Sequence, residues 1–413
     1  MRVLDTCVIS CGGKGTRLRE VTGTIPKPLY PIRGISCFER SIFQLKEMGI
    51  KNFYILTSYK SNIFREEIKK FRKIYKVEIN IFEEKEPLGE CGGLWIIKEK
   101  MNSTFLFLNA DLIWKVDIHK LADFHFDHAG DITFLTHLST HPEDSDVILE
   151  SPTKEIKDFS LKPHIKNNKF KFMILGNAGI ALINPYILDL LPAPTKKDSL
   201  CHYFLKNKSS YNLRIYSYNT SEYVKDMGTP KRLVEVEKAI DGGILEKKSY
   251  LNKQKCLFID RDNTLINCEK NEYITSVDQI NLIKKNINKI SQISKNFNLV
   301  IMVTNQPQIA MGRIKWQEVI EINNYVIQLC LHHDLFIDDF VLCPHHPHMG
   351  FENEITNLKQ SCFCRKPSPG MLLQEKFKKN IDLSKSLMIG DSDNDKLAAL
   401  RAGTDYISVD TFK

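Results

Sequence analysis

No apolar run in the 413-residue sequence approaches the roughly 18 residues of a membrane-crossing helix, which argues against a membrane protein or membrane partner. Internal repeats and low-complexity tracts are also missing, and their absence excludes collagen-like and disordered chains. No disulfide framework is expected: the 11 cysteines are odd in number, scattered from Cys7 to Cys364, and several sit in apolar runs where a reduced thiol simply packs. The net charge is +8, yet there is no long basic block, because acids are interspersed among the Lys and Arg residues. That pattern argues against nucleic acid as a partner, while a surplus of cations suits polyphosphate ligands. Nearly all of the surplus lies in residues 1–240. The opening Met1-Arg2-Val3-Leu4-Asp5 turns polar too early for a signal peptide, so a cytoplasmic location is expected.

Hydrophobic residues make up 42% of the sequence and charged residues 26%, ordinary globular usage that can bury real cores. At about 100–200 residues per domain, the length predicts two domains, or three at most. The first half alternates β-rich runs with amphipathic stretches: a strand over 3–9, a helix over 39–48, a strand over Asn52–Thr57. A second alternation runs through Cys256–Ile259, 299–303 and 386–389, three strands separated by helical segments. The polar stretch between them, with Gly242-Gly243, reads as a linker. The predicted fold class is therefore α/β, with two unrelated Rossmann-like open-sheet domains, 1–240 and 255–413, joined by a linker over 241–254.

After the opening strand comes Gly12-Gly13-Lys14-Gly15-Thr16-Arg17, whose glycines let backbone amides approach a phosphate chain. Its spacing is neither that of the P-loop nor that of the dinucleotide fingerprint, and a plain glycine turn is the competing reading. Lys27 follows, stiffened between Pro26 and Pro28, and with Arg17 it could neutralise polyphosphate. Asp111 and Asp226 each follow a strand-like run. Carboxylates at strand ends of an open sheet converge on one crevice, where two of them would hold Mg²⁺ against phosphate oxygens. The histidines His119, His125, His128, His137 and His141 lack a repeated ligand face, so no metal is expected there.

The ordered series of the glycine run, Lys27-Pro28-Leu29, Pro87-Leu88-Gly89 with Gly92, Asn109-Ala110-Asp111, Asn177-Ala178-Gly179 and Asp226-Met227-Gly228-Thr229-Pro230 resembles the sugar-1-phosphate nucleotidyltransferases. The resemblance implies a glycosyltransferase-A-like domain in which a sugar phosphate oxygen attacks the α-phosphorus of a nucleoside triphosphate and pyrophosphate leaves. It implies nucleotide contacts from Gly12, Gly13, Gly15, Thr16, Glu84 and Gly89, and sugar phosphate contacts from Asn177, Gly179 and Lys162. Arg17 and Lys27 would stabilise charge, and Asp111 and Asp226 would bind Mg²⁺. Such chemistry depends on alignment and charge neutralisation and requires no general base. Two departures stand out: Leu161-Lys162-Pro163 replaces the usual Glu-Lys-Pro, removing an acceptor for sugar hydroxyls, and Glu90-Cys91 replaces a small pair.

In the second half, Asp260-Arg261-Asp262-Asn263-Thr264 ends a strand, and its two carboxylates invite a nucleophile and an acid/base, although such a string alone also reads as a turn or a calcium loop. Thr304-Asn305-Gln306, Arg365-Lys366-Pro367 and Gly390-Asp391 would meet it at one sheet edge. Asp260 is then the nucleophile, Asp262 the acid/base, Thr304 and Lys366 the phosphate clamp, and Asp391 a Mg²⁺ ligand. This set resembles the haloacid dehalogenase phosphatases over 255–413, which implies Mg²⁺ on Asp260, Asp262 and Asp391 and substrate contacts from Asn305 and Arg365. Asn263 replaces the usual glycine.

Cys343-Pro344-His345-His346 and Cys362-Phe363-Cys364 supply soft ligands that suit a structural tetrahedral Zn²⁺. Spacing leaves His345 and His346 both open. The loop resembles that of the heptose 1,7-bisphosphate phosphatases and related histidinol-phosphatases, and this favours Cys343, His345, Cys362 and Cys364. Joined, the two resemblances imply a bifunctional enzyme: a heptose bisphosphatase releasing heptose 1-phosphate, and a guanylyltransferase using GTP to form GDP-heptose for surface glycans. The alternative is a nucleotidyltransferase for mannose 1-phosphate or a deoxysugar phosphate, fused to a histidinol-phosphatase-like enzyme or to a phosphatase-like regulatory module. The partners implied are GTP and heptose phosphates, with a homo-oligomer left open.

Overall fold

The computed structural model describes residues 4–13, 15–58, 60–86, 88–139, 141–162, 172–193, 198–269 and 272–412. Lys14, Pro87 and Pro163 of the sequence motifs lie outside the described residues. The chain divides into two compact units, one of residues 1–165 and 175–246, the other of 166–174 and 247–413. The stretch 241–254 expected as a linker holds a short helix, Ile244–Lys248. Among the described residues no helix is long and apolar enough to cross a membrane.

The first unit is built on a nine-stranded sheet. β1 (Thr6–Ser10) lies between β2 (Asn52–Thr57) and β4 (Phe105–Asn109), parallel to both, and β3 (Glu78–Glu83) extends the parallel set beyond β2. Beyond β4 the sheet turns antiparallel through β9 (Leu175–Ile183), which also pairs with β6 (Ile132–Leu138) and touches β7 (Val147–Glu150). β8 (Ile156–Ser160) and β10 (Ile215–Asn219) complete it. A separate ribbon pairs β5 (Leu112–Lys115) with β11 (Tyr223–Asp226), antiparallel.

Strand alternation decides which side chains face which helices. Cys7 and Ile9 of β1 join Phe38, Ile42 and Leu45 of α1 (Cys37–Glu47) and Phe64 and Ile68 of α2 (Ser61–Tyr75). Val8 faces the other way, into a cluster with Leu94 and Ile97 of α3 (Gly89–Ile97), Phe134 and Phe204. Each such side chain, fully buried, contributes about 1.5–3 kcal/mol, so the sheet is clamped from both faces. α1 starts two residues before the predicted 39 because Ser36 caps it, accepting the Glu39 N–H at 3.1 Å. Among the described residues the first strand begins at Thr6; residue 3, where it was expected to begin, lies outside them.

The second unit has a five-stranded, wholly parallel sheet in the order β14-β13-β12-β15-β16, with β12 (Cys256–Ile259), β13 (Leu299–Asn305), β14 (Asp339–Cys343), β15 (Leu387–Gly390) and β16 (Asp405–Ser408). Strands were predicted at β12, β13 and β15, while the edge strands β14 and β16 were not anticipated. The strand order reverses at β12, so the loops after β12, β13 and β15 open on a shared crevice at the carboxyl ends of the strands.

Candidate active sites

In the first unit, the loop after β1 lines a cleft of roughly 660 Å³. Gly15 adopts a φ of 59°, and a Cβ there would stand 3.1 Å from that of Lys27. Glycine therefore lets the loop close against the Lys27 stem. Gly12, Gly13, Thr16, Arg17, Lys27 and Gly89 all line this cleft.

Lys27 Nζ donates to Asp111 Oδ2 at 2.5 Å. The β5–β11 ribbon sets Asp226 opposite Leu112, and the Met227 N–H donates to the Asp111 carbonyl at 3.1 Å, so the two carboxylates expected to share Mg²⁺ come from adjoining strand ends. Arg232 Nη1 donates to both Asp226 oxygens at 2.8 and 2.9 Å, and the Gly228 N–H donates at 2.8 Å. Burial raises the Asp226 carboxyl, but Arg232, the Gly228 N–H and Lys27 outweigh it and leave it below the usual carboxylate range. Sequence reasoning missed Arg232, which lies in the helix Pro230–Asp241 just after the Asp226 motif.

Glu84 is buried and accepts the Leu88 N–H at 3.0 Å, folding the turn before α3; burial pushes its carboxyl up. Asn177 Oδ1 accepts the Gly179 N–H at 3.1 Å. Gly179 has φ 75°, and a Cβ there would stand 3.1 Å from Asn109 Nδ2, which links β9 to the cleft wall at β4. Lys162, expected with Asn177 and Gly179 against the sugar phosphate, is exposed and its Nζ donates to the Asp144 carbonyl at 3.0 Å; none of the three is among the residues lining the cleft. Asp144 also accepts from Arg232 at 2.5 Å, so a local ion-pair network takes up the lysine. Glu90, half-buried in the first turn of α3, lines the cleft and accepts the Leu200 N–H at 2.8 Å.

In the second unit, Lys366 Nζ lies 2.5 Å from Asp260 Oδ1, 2.6 Å from Asp395 Oδ1 and 2.9 Å from the Val303 carbonyl, fully enclosed. Burial pushes the Asp260 carboxyl up, opposed by Lys366 and reinforced by the neighbouring Asp395. Burial alone would lower the Lys366 ammonium, but Asp260 and Asp395 hold it above its ordinary value. Asp260, Asp391 and Asp395 each present a carboxylate oxygen, all within 4.8 Å of one another. Three carboxylates against one ammonium leave excess negative charge in a buried pocket, which fits a hard divalent cation.

The side chains brought together here differ from the set Asp260, Asp262 and Asp391 read from the sequence. The Asp262 side chain does not join the cluster: Arg261 Nε donates to its Oδ1 at 2.9 Å, Arg261 Nη2 to its Oδ2 at 3.1 Å, and Gln306 Nε2 to Oδ2 at 3.2 Å. Asp395, three residues into a helix capped by Ser392, takes the third place. Arg261 is itself completely buried and reaches Asn323 Oδ1 at 2.9 Å. Thr304 Oγ1 accepts from Gln306 Nε2 at 2.8 Å. Asn305, expected against substrate, instead exchanges two 3.0 Å hydrogen bonds with the Lys366 backbone and so fixes the lysine. Arg365 donates to the His345 carbonyl at 3.3 Å.

Cys343, His345, Cys362 and Cys364 form a second cluster that could hold a metal ion. Cys364 Sγ lies 3.3 Å from Cys343 Sγ, 3.2 Å from Cys362 Sγ and 3.2 Å from His345 Nδ1, and Cys343 Sγ lies 3.5 Å from Cys362 Sγ. A tetrahedron with bonds of about 2.0–2.3 Å has edges of roughly 3.3–3.8 Å, so this donor set fits Zn²⁺. His346 turns away, its Nδ1 meeting the His348 N–H at 3.2 Å, so the pair left open by spacing divides in favour of His345. Among the described residues, the early histidines form no such cluster: His125 is buried against Thr133, and His128 stacks on Phe124.

A nucleotidyl transferase family profile matches residues 6–242, and a HAD-hydrolase-like profile matches residues 363–411. A mannose-1-phosphate guanyltransferase of Saccharomyces cerevisiae is 32% identical over 231 residues, 54% of this chain and 61% of the relative. The chain thus spans about three fifths of the length of the curated relatives it matches. A UDP-glucose pyrophosphorylase solved with UDP-glucose aligns with 18% identity and a TM-score of 0.50, covering 58% of this chain and all of that one. A HAD-like phosphatase from Mesorhizobium loti is 31% identical with a TM-score of 0.34, covering 37% of this chain and 70% of that one. With its cleft, strand order and a profile match over more than half its length in agreement, the chain belongs to the nucleotidyl transferase family and carries a HAD-like domain behind it.

Proposed function

We propose that the two units carry out two phosphoryl-group reactions, nucleotidyl transfer to a sugar 1-phosphate and hydrolysis of a sugar phosphomonoester. The observation that supports this reading is the presence on one chain of two clusters whose chemistry suits phosphate: the glycine-loop cleft with Arg17, Lys27 and Asp111, and the enclosed Asp260–Lys366–Asp395 cluster.

In the first unit, an oxygen of the sugar 1-phosphate attacks the α-phosphorus of the nucleotide and pyrophosphate departs. The glycine-loop amides receive phosphate oxygens, and Arg17 and Lys27 neutralise the charge that builds up. Asp111 and Asp226 would hold Mg²⁺, which when bound supplies further neutralisation between them. In the second unit, the Asp260 carboxylate attacks phosphorus and the sugar oxygen leaves with a proton from Asp262. Water then cleaves the aspartyl-phosphate, Asp262 takes its proton, and phosphate is released. Lys366 and Thr304 steady the phosphoryl oxygens, Arg261 and Gln306 aim Asp262, and Asp260, Asp391 and Asp395 would hold Mg²⁺. Zn²⁺ on the cysteine–histidine set would order the loop carrying Arg365 and Lys366.

The substrates proposed are D-glycero-D-manno-heptose 1,7-bisphosphate, dephosphorylated at its 7-position, and then heptose 1-phosphate with GTP. A phosphatase fused to a nucleotidyltransferase gains a reason when its product is the other unit's substrate, and the guanyltransferase relatives support GTP. The same relatives carry mannose in their names, which favours mannose 1-phosphate as the second reading. The test is to incubate purified full-length chain, Mg²⁺ and the heptose bisphosphate with each nucleoside triphosphate, following phosphate and pyrophosphate. Phosphate release followed by GTP-dependent pyrophosphate release is expected. Release of neither, with mannose 1-phosphate and GTP giving pyrophosphate, would replace the heptose reading with the mannose one.

A further inference from the structure

Four carboxylates line or border the cleft of the first unit, and two of them have cations: Asp111 has Lys27, and Asp226 has Arg232. Among the described residues no Lys or Arg forms an ion pair with either of the others, Glu84 and Glu90. Glu84 is buried and accepts the Leu88 N–H, whereas Glu90 is half-buried and faces the same cleft as Arg17 and Lys27. It is fixed in place, because Oε2 accepts the Leu200 N–H at 2.8 Å and the Asn109 side chain is a further hydrogen-bond partner. The turn of chain that supplies Leu200 is tied back to α3, since the Cys91 N–H donates to the Asp198 carbonyl at 3.3 Å.

An ionised carboxylate only accepts hydrogen bonds, and each oxygen can take more than one. Phosphate brought beside it would be repelled, so the matching ligand surface is one rich in hydroxyl donors. Position decides which part of the substrates that is. Asn109, which holds Glu90, ends β4 two residues before Asp111 and borders Gly179 of β9, whereas Glu84 and Gly12 border each other near β2 through Ser58. Glu90 therefore belongs to the Asn109–Gly179 side of the cleft.

We propose that Glu90 reads the sugar: its carboxylate accepts hydrogen bonds from ring hydroxyls of the sugar 1-phosphate and selects polyhydroxylated sugars over deoxy ones. This rests on the sugar-1-phosphate nucleotidyltransferase reading above. A site built to accept a hydroxyl discriminates strongly against the analogue lacking it, because its buried acceptor is then left unpaired.

The test follows pyrophosphate release from GTP by the full chain with heptose 1-phosphate, mannose 1-phosphate and the monodeoxy counterparts of mannose 1-phosphate. Glu90→Gln keeps an oxygen for the Leu200 N–H but puts a donor where the second acceptor was, and Glu90→Ala removes both. For Glu90→Gln, the KM for the sugar phosphate should rise about tenfold or more, the KM for GTP should stay within about twofold, and the preference over at least one deoxy sugar should collapse. A KM for GTP rising in step with that for the sugar, or an unchanged sugar preference, would overturn the assignment. Wild-type activity with mannose 1-phosphate alone removes heptose but leaves this comparison intact. No pyrophosphate with any sugar phosphate would remove the nucleotidyltransferase reading, and Glu90 with it.

Discussion

Asn263 stands where the phosphatase resemblance expects glycine, and its backbone shows why that exchange is tolerated. Its φ is 54°, in the left-handed region that glycine and asparagine visit most readily. Its N–H donates to the Ile266 carbonyl at 2.7 Å and its Oδ1 accepts the Cys268 N–H at 2.9 Å, so the side chain itself stabilises the turn. Asn263→Ala should cost about 1 kcal/mol of stability, read from the urea midpoint, while Asn263→Gly should leave the turn geometry and phosphate release nearly intact. Close approach governs the other end of the same crevice: a Cβ on Gly390 would lie 2.5 Å from Asp395 Cγ. Gly390→Ala should therefore displace Asp395 and lower phosphate release by about a hundredfold, with pyrophosphate release unchanged. Asp391 was legible because it ends a strand, but Asp395 was not: its acidic run also holds Asp393, and nothing in a linear pattern says which carboxylate folds inward. Arg261 and Gln306 were hidden for a related reason, since charged and amide residues beside a catalytic aspartate read as solvent-facing until the burial of their loop is known.

Elements whose residues are paired locally were readable, whereas those completed across the sheet were less so. The βαβ alternation, the glycine loop and both aspartate strand ends follow from period and local chemistry, and the structure places them accordingly. Arg232 meets Asp226 only because a helix folds back on the β5–β11 ribbon, and Lys162 meets Asp144 across a separation of 18 residues. The helix Ile118–Asp127 carries a pH-sensitive element of this kind. Its His125 is buried against Thr133 and Asn184, and burial holds its imidazole below the ordinary value, as it does for His137, pushed down to about 4. The folded unit then binds fewer protons than the unfolded chain, so stability rises with pH and is lost as pH falls through about 6.5 toward the folded values. The loss should reach about 1.4 kcal/mol per pH unit for each histidine. Glu84, raised by burial, works in the opposite direction at lower pH, so the clean measurement compares urea midpoints of wild type and His125→Asn across this range. The variant should show a shallower decline. The cysteine–histidine loop invites a second measurement at this scale: the purified chain should hold about one equivalent of zinc, and Cys364→Ser should lose it together with phosphate release.

At the scale of the whole molecule, the two sheets resemble each other in principle and differ in construction. One mixes parallel and antiparallel strands around a wide cleft; the other is wholly parallel and closes its lysine and carboxylates away from water. Both place their candidate sites at the carboxyl ends of strands, the common solution of open α/β sheets, so fold alone does not assign either proposed reaction; the reading rests on the side chains. Since every catalytic group named for one reaction lies within one unit, the two activities should separate by point substitution. Asp260→Asn removes the proposed nucleophile yet keeps the shape of the side chain, and phosphate release should fall by at least a thousandfold. The same protein, given sugar 1-phosphate directly, should still release pyrophosphate at the wild-type rate. Lys27→Met should show the converse, with pyrophosphate release reduced about a hundredfold or more and phosphate release retained. Starting from the bisphosphate, neither variant alone should make nucleotide sugar, and an equal mixture of the two should restore it through free sugar 1-phosphate. Full phosphatase activity in Asp260→Asn would discard the aspartyl-phosphate route, and failure of the mixture would mean that the intermediate does not pass through solution.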